Sequence, residues 1–153
     1  MALSRGSSPS GSGKTSPRTV VLDCEAVAAL ARGRAGMAER LEAARRLDIR
    51  VVIPAVVLAE LITGAGGDAA LWRVVRRFPV VDIDARLAAR AGALRQRASG
   101  VRRKKRDLTV DAITAALAVA LAPSVVITSD AGDMRLLCDG ADILVNDLNA
   151  QPG

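Results

Sequence analysis

Aspartates stand directly after two β-branched runs of the sequence. Asp23 follows Val20–Leu22, and Asp130 follows Ile127–Ser129. Asp133 comes three residues after Asp130, in the first turn of the next predicted helix. Because the carboxyl ends of parallel strands meet at one edge of a sheet, we expect these side chains to lie close together. Carboxylate oxygens suit a hard divalent cation such as Mg²⁺ or Mn²⁺.

Two further acidic residues stand inside apolar segments that predict helices. Glu60 has no polar neighbour at helical spacing on either side, and Asp111 shares one predicted helix face with Asp107 and Thr114. An unpaired buried carboxylate is destabilising and tends to take up a proton. Both residues therefore need a cation, a hydrogen-bond donor or water nearby.

Each of these acids also has an ordinary structural interpretation. Asp23 alone fits a helix cap, and Asp130 with Asp133 fits a cap followed by a first-turn acid. Asp111 fits a helix N-terminus, and Glu60 could reach solvent or pair with an arginine. These explanations must hold separately, whereas one metal site explains all of the acids together. We therefore favour the metal site.

The composition excludes several kinds of catalytic chemistry. The 153 residues include no histidine and no tyrosine. Serine–histidine and cysteine–histidine nucleophiles and histidine-bearing zinc sites are thus excluded. Cys24 and Cys138 have neither metal-site nor disulfide spacing, and they indicate buried or idle thiols in a reducing cytosol. Carboxylates holding a metal remain the best-supported chemistry.

Basic residues outnumber acidic ones by 22 to 16, which gives a net charge of +6 and favours an anionic partner. Twelve of them lie between Arg73 and Arg106, and the densest run comes directly before the predicted Asp111 helix. That run consists of Arg102, Arg103, Lys104, Lys105 and Arg106. It is either a solvated loop or a contact for a phosphate backbone. Thr128 or Ser129 could bind a ligand carboxylate or a phosphate oxygen.

Short apolar runs alternate with longer Ala/Leu/Arg segments from Thr19 onward, and they predict an α/β fold with a mostly parallel sheet of about five strands. The predicted strands are 20–22, 51–53, 80–83, 125–127 and 143–145. The predicted helices are 24–31, 36–47, 55–63, 68–77, 84–98, 109–121 and 131–138. We expect a single domain at 19–148, with a flexible tail at 1–18 and a short C-terminal tail at 149–153.

Three other segments need an interpretation. Gly13–Thr15 resembles the end of a phosphate-binding loop but lacks the required upstream glycine and strand. The uncharged stretch 112–129 is interrupted by Pro123, so it predicts a buried helix and a strand and no membrane span. Trp72 and its apolar neighbours predict core packing, with a groove for a partner helix as the alternative.

Four segments of the chain together resemble the acidic motifs of PIN domains, and are most similar to those of VapC-type ribonuclease toxins. They are Val21–Val27, Ile53–Leu61, Leu108–Ala112 and Ile127–Asp133. The resemblance covers about residues 19–148. It implies a three-layer α/β/α fold, Mg²⁺ or Mn²⁺ at the carboxylates, metal-dependent cleavage of RNA in the cytoplasm, a homodimer, and a cognate antitoxin that blocks activity. An acidic antitoxin segment could use the basic surface.

On this interpretation Asp23 and Asp111 are the principal metal ligands. Glu60 binds the metal through water or orients the attacking water, and Asp130 completes the first site or holds a second ion. Asp133 is a weaker candidate ligand. Glu25 departs from the family pattern, which usually has a small or hydroxyl residue two positions after the first aspartate.

Two alternatives remain open from the sequence. One is a PIN-like module that binds RNA or protein without cutting because Glu25 weakens the site. The other is a phosphatase-like hydrolase, which Asp23-Cys24-Glu25 resembles faintly in spacing and for which no lysine motif is evident. An RNA cleavage assay with and without divalent metal separates the first alternative from a nuclease.

Overall fold

A computed structural model describes residues 15–102 and 106–150. In these ranges five strands form one parallel sheet: β1 (Thr19–Leu22), β2 (Arg50–Pro54), β3 (Val80–Val81), β4 (Ser124–Thr128) and β5 (Ile143–Asp147). The helices are α1 (Cys24–Ala31), α2 (Met37–Arg46), α3 (Ala55–Leu61), α4 (Ala69–Val75), α5 (Ala85–Ser99), α6 (Thr109–Ala120) and α7 (Ala131–Leu137). The predicted α/β class and parallel five-stranded sheet are confirmed.

The sheet is buried on both faces, which explains why its strands are continuously apolar. In β1, Val20 and Leu22 pack into a cluster with α1, α2 and α4. Val21, which points to the opposite face, packs into a second cluster with α5, α6 and α7. Each fully buried aliphatic side chain stabilises the fold by about 1.5–3 kcal/mol. The result is the predicted three-layer α/β/α arrangement.

The strand order is β3-β2-β1-β4-β5, so the chain runs outward from β1 in both directions. β1 pairs in parallel with β2 on one side and with β4 on the other. The order reverses between β1 and β4, and ligands bind beyond the carboxyl ends of the strands at such a reversal. Asp23 directly follows β1, and Ser129 and Asp130 directly follow β4.

The structure differs from the predicted elements mainly at their ends. β3 stops at Val81 because Asp84 is the N-cap of α5, where its carboxylate accepts a hydrogen bond from the Leu87 N–H. α3 stops at Leu61 because the chain beyond it is tied to the buried Asp68, whose carboxylate accepts hydrogen bonds from the N–H groups of Thr63 and Gly64. α2 begins after Gly36, whose φ of 82° favours glycine.

Trp72 corrects one expectation, since it lies at the surface of α4 with 36% of its area exposed. Its neighbours Val74 and Val75 supply the core packing. Trp72 is not among the residues of that cluster, so it contributes little to the core. In the described ranges, no helix combines the length and the apolar character that crossing a membrane requires.

Candidate active site

Asp23 is both a helix cap and a buried acid at the edge of the sheet. Its Oδ1 accepts a hydrogen bond from the Ala26 N–H at 2.8 Å, and its own N–H donates to the Ile127 carbonyl at 3.3 Å. The residue is 5% exposed. Burial raises the pKa of its carboxyl to about 6, although hydrogen bonds from Thr128 and Ala26 act in the opposite direction. Asp23 therefore caps α1 and also places a buried carboxyl at the edge of the sheet.

Asp130 reaches the same edge of the sheet from β4. It is the N-cap of α7, and its Oδ1 accepts a long hydrogen bond of 3.4 Å from the Asp133 N–H. Its own N–H donates to Thr128 Oγ1 at 3.0 Å. Asn149 Nδ2 donates to the Ser129 carbonyl at 3.2 Å and so ties this turn to the end of the sheet. Thr128 is buried, and its hydroxyl is engaged with Asp23 and Asp130.

Asp111 lies in the first turn of α6 and faces both strand ends. Burial raises the pKa of its carboxyl, and the Arg106 guanidinium partly opposes that rise. Arg106 Nη2 donates to Asp111 Oδ2 at 2.6 Å, and Arg106 Nη1 donates to Asp130 Oδ2 at 3.3 Å. A single guanidinium thus bridges two of the carboxylates.

Glu60 on α3 completes the group. Cys24 Sγ donates to Glu60 Oε2 at 2.7 Å. Burial and the hydrogen bond to Glu60 raise the pKa of this thiol, so it stays protonated and acts as a donor. The sequence indicates only an idle or buried thiol at Cys24. Its position next to Asp23, at the end of β1, is the signal that places it at the site.

These side chains line one cleft of about 490 Å³. Its walls include Asp23, Glu60, Asp111 and Asp130. The rest of the lining consists of Cys24, Glu25, Arg106, Asp107, Val110, Thr128 and Ser129. The Glu25 side chain is 55% exposed, and its Oε2 lies 3.8 Å from Arg32 Nη2. The structure therefore brings together four of the five predicted carboxylates.

Asp133, the fifth, lies beneath the cleft and does not line it. Its Oδ1 accepts from Arg102 Nε at 2.8 Å, and its Oδ2 accepts from Arg102 Nη2 at 2.6 Å. The Arg102 and Asp133 side chains are 5% and 7% exposed. This buried pair joins Arg102 to α7. Arg103, Lys104 and Lys105 of that segment lie outside the described residues.

The donor chemistry of the cleft fits a hard divalent cation. The four carboxylates supply only oxygen atoms, as Mg²⁺ and Mn²⁺ prefer, and the pKa values of Asp23 and Asp111 are raised mainly by burial. A bound cation stabilises the ionised form of such groups. As the side chains stand, no three acidic, cysteine or histidine side chains in residues 15–102 and 106–150 are gathered around a possible ion position. Instead, Arg106 donates hydrogen bonds to Asp111 and Asp130, and Cys24 donates one to Glu60.

A second cavity of about 330 Å³ adjoins the cleft and shares Arg106 and Asp107 with it. Arg95 also lines this cavity, and its Nη1 donates to Thr109 Oγ1 at 2.6 Å. Arginines therefore stand beside the acidic cleft, as the charge pattern predicts. An anionic chain lying across them would reach the carboxylates.

Comparison with known proteins gives one family and several solved structures. A family model of the PIN domain matches residues 20–136. No curated protein sequence matches the chain significantly.

The fold is similar to that of a chain in the VapBC2 structure from Rickettsia felis bound to a promoter DNA fragment, with a TM-score of 0.65 and 15% identity over 86% of this chain and 99% of that chain. For DNA-bound VapBC from Salmonella typhimurium the TM-score is 0.61 and the identity 22%, over 84% of this chain and 97% of that chain. For a toxin–antitoxin complex from Klebsiella pneumoniae the TM-score is 0.58 and the identity 23%, over 82% of this chain and 95% of that chain.

The family match spans the sheet from β1 through β4 and most of α7, and it includes all four carboxylates of the cleft. The strand order, the reversal between β1 and β4 and the acidic cleft at that point belong to the same part of the chain. The chain belongs to the PIN domain family.

Proposed function

We propose that this protein is a metal-dependent endoribonuclease and the toxin of a VapBC-type toxin–antitoxin pair. The observation that supports the activity most directly is the cleft at the strand-order reversal, which is lined by Asp23, Glu60, Asp111 and Asp130. PIN-domain membership and the similarity to chains of VapBC and toxin–antitoxin complexes support the biological role.

In this proposal Asp23 and Asp111 are the principal ligands of Mg²⁺ or Mn²⁺. Glu60 acts through a water molecule, and Asp130 completes the first site or holds a second ion. When bound, the metal activates a water molecule and offsets negative charge on the leaving oxygen. Asp133 was a weaker candidate ligand, and its burial against Arg102 favours a supporting role for it instead.

The chain's own residues orient this machinery. Thr128 and the Ala26 N–H hold the Asp23 carboxylate, which fixes its direction toward the cleft. The Cys24 thiol holds the Glu60 carboxylate in the same way. Because these supports are hydrogen bonds from protein groups, the two carboxylates are oriented before any substrate arrives.

RNA would approach over the basic surface beside the cleft. Arg95 and Arg106 line the adjoining cavity, and Ser129 lines the cleft itself. We propose contacts from these residues, and from the basic run at 102–106, to phosphate groups on either side of the scissile bond. Arg102 is the exception in that run, because it is buried in its pair with Asp133 and its proposed role is to hold the Arg106 backbone.

A partner helix could dock on the opposite layer. Leu30, Ala31 and Val74 line a cavity of about 440 Å³ between α1 and α4, with Arg73 and Arg77 at its edge. This apolar floor with basic edges suits an amphipathic helix carrying acidic residues. We propose it as the antitoxin surface, with a homodimer in the cytoplasm as the form of the toxin.

The test is RNA cleavage by the purified protein with Mg²⁺ or Mn²⁺ and with excess EDTA. Cleavage that requires metal and is lost in Asp111→Asn supports the proposal. Cleavage that persists in EDTA, or survives undiminished in that variant at matched purity, contradicts it.

The alternative is a module that binds RNA or protein without cutting it. It rests on Glu25, which lines the cleft and departs from the family pattern. The Glu25 side chain is about half exposed to solvent and has Arg32 as a counter-charge, so it adds little uncompensated negative charge to the cleft. We therefore favour the nuclease. Retention of RNA with no cleavage under any metal condition would favour the alternative.

A further inference from the structure

Arg106 bridges two acidic side chains of the cleft. Its guanidinium binds Asp111 Oδ2 at 2.6 Å and Asp130 Oδ2 at 3.3 Å. These oxygens belong to two of the carboxylates proposed to hold the metal. Because a guanidinium and a divalent cation repel each other and draw on the same carboxylates, binding of one weakens binding of the other.

The backbone of Arg106 is fixed, whereas its side chain is accessible. Arg102 Nη1 donates to the Arg106 carbonyl at 2.6 Å, and Arg102 is itself held in the buried pair with Asp133. In contrast, the Arg106 side chain is 56% exposed. The Arg106 backbone is thus held at the cleft by a hydrogen bond from Arg102, while its exposed side chain is free of packing that would keep it there.

The protein also has room for the displaced side chain. Arg106 lines both the acidic cleft and the adjoining cavity of about 330 Å³. A rotated Arg106 side chain could therefore enter the adjoining cavity.

We propose that Arg106 is an internal counter-ion of the acidic cleft, which competes with the divalent metal for Asp111 and Asp130 and sets the metal affinity of the enzyme. This inference rests on the proposed metal-dependent function. Arg106 neutralises the cleft in the metal-free protein and gives up its contacts when metal enters. The Arg102–Asp133 pair is the positioning unit that keeps the Arg106 backbone at the cleft.

The experiment measures Mn²⁺ binding directly, by calorimetry and by the electron paramagnetic resonance signal of free Mn²⁺. Arg106→Gln should bind Mn²⁺ about tenfold more tightly than the parent protein, within the usual range of coupling between two binding events. Arg106→Lys keeps the charge but loses the rigid planar fork of the guanidinium, so its Mn²⁺ affinity should lie between those of the parent protein and Arg106→Gln. Arg95→Gln loses the same charge from the adjoining cavity, where its guanidinium donates to Thr109, and should stay within twofold of the parent.

A second readout is thermal unfolding, which does not require a measurement of metal affinity. Without its counter-ion the cleft is more repulsive, so Arg106→Gln should unfold at a lower temperature than Arg95→Gln in EDTA, and Mn²⁺ should close that difference. Circular dichroism verifies that each variant is folded, and Arg106→Lys provides the test if Arg106→Gln does not fold.

The outcomes separate this inference from the proposed function. If Mn²⁺ binds the parent protein and Arg106→Gln equally tightly, and Asp111→Asn abolishes binding, the competition is refuted and the metal site stands. If neither the parent nor Arg106→Gln binds Mn²⁺, both are refuted. Tighter binding only in the Arg106 variants supports the competition.

Discussion

Replacing Asp23 with asparagine should stabilise the metal-free protein while removing its proposed activity. The carboxyl is 5% exposed, and burial raises its pKa from the ordinary value of 3.8 to about 6. The ionised side chain is therefore less stable in the folded than in the unfolded chain. Asparagine has nearly the same shape and is as good an N-cap, so the hydrogen bond from the Ala26 N–H can persist.

The magnitude follows from the pKa. One pKa unit corresponds to about 1.4 kcal/mol, so ionised Asp23 lowers the free energy of unfolding by up to about 3 kcal/mol. Because the folded-state pKa is the higher one, this destabilisation is absent below pH 3.8 and complete above about pH 6. The gain from Asp23→Asn should thus be largest at pH 8 and about half as large at pH 5. For a chain of this size it corresponds to a rise of about 6–12 °C in the unfolding midpoint at pH 8.

The assay is urea denaturation of both proteins in EDTA at pH 8 and pH 5, followed by the same comparison with saturating Mn²⁺. Metal should stabilise the parent protein and reduce or reverse the advantage of Asp23→Asn, since a ligand that binds only the folded state adds stability. RNA cleavage by the variant should fall by more than the roughly 10- to 100-fold loss typical of an outer-shell partner. A variant that is less stable than the parent at pH 8, or a gain that does not change with pH, would refute the reasoning.

Three further predictions concern the surroundings of the cleft. Asp133→Asn removes the carboxylate that accepts two hydrogen bonds from buried Arg102. The free energy of unfolding, measured by guanidinium denaturation, should therefore fall by about 3 kcal/mol. The control is Asp139→Asn at an exposed position, which should change that free energy by under about 0.5 kcal/mol. Glu25→Gln should change cleavage less than twofold, and a tenfold increase would show that Glu25 weakens the site. Arg95→Gln should reduce the slope of log RNA affinity against log salt by about 0.7, and an unchanged slope would remove Arg95 from the phosphate path.

The helix caps show why the two interpretations of the acids could not be separated in the sequence. Asp23 and Asp130 each cap a helix, and each also lines the cleft. A helix that begins at the carboxyl end of a central strand places its cap at the ligand-binding edge of the sheet. In this fold a cap and a metal ligand can therefore be the same residue.

Asp133 shows the opposite case. It lies three residues after Asp130 in a first helical turn, which made it a candidate ligand. The structure turns its side chain inward to Arg102, 31 residues away in sequence. Nothing in the local pattern indicates that partner, because the pairing depends on how α7 packs against the end of α5.

The sequence by itself determined the fold class and the order of the strands and helices along the chain, and it named five candidate acids, of which four line the cleft. The types and spacing of neighbouring residues indicate which strands are buried on both faces and which segments are helical. The carboxyl ends of parallel strands necessarily share one edge of the sheet. Only the tertiary structure decided which charges face each other there. Arg106 bridges Asp111 and Asp130, Arg102 is buried against Asp133, and Cys24 donates to Glu60. These contacts depend on side-chain directions at element ends, where a rotation of one residue changes the partner and leaves the hydrophobic pattern unchanged.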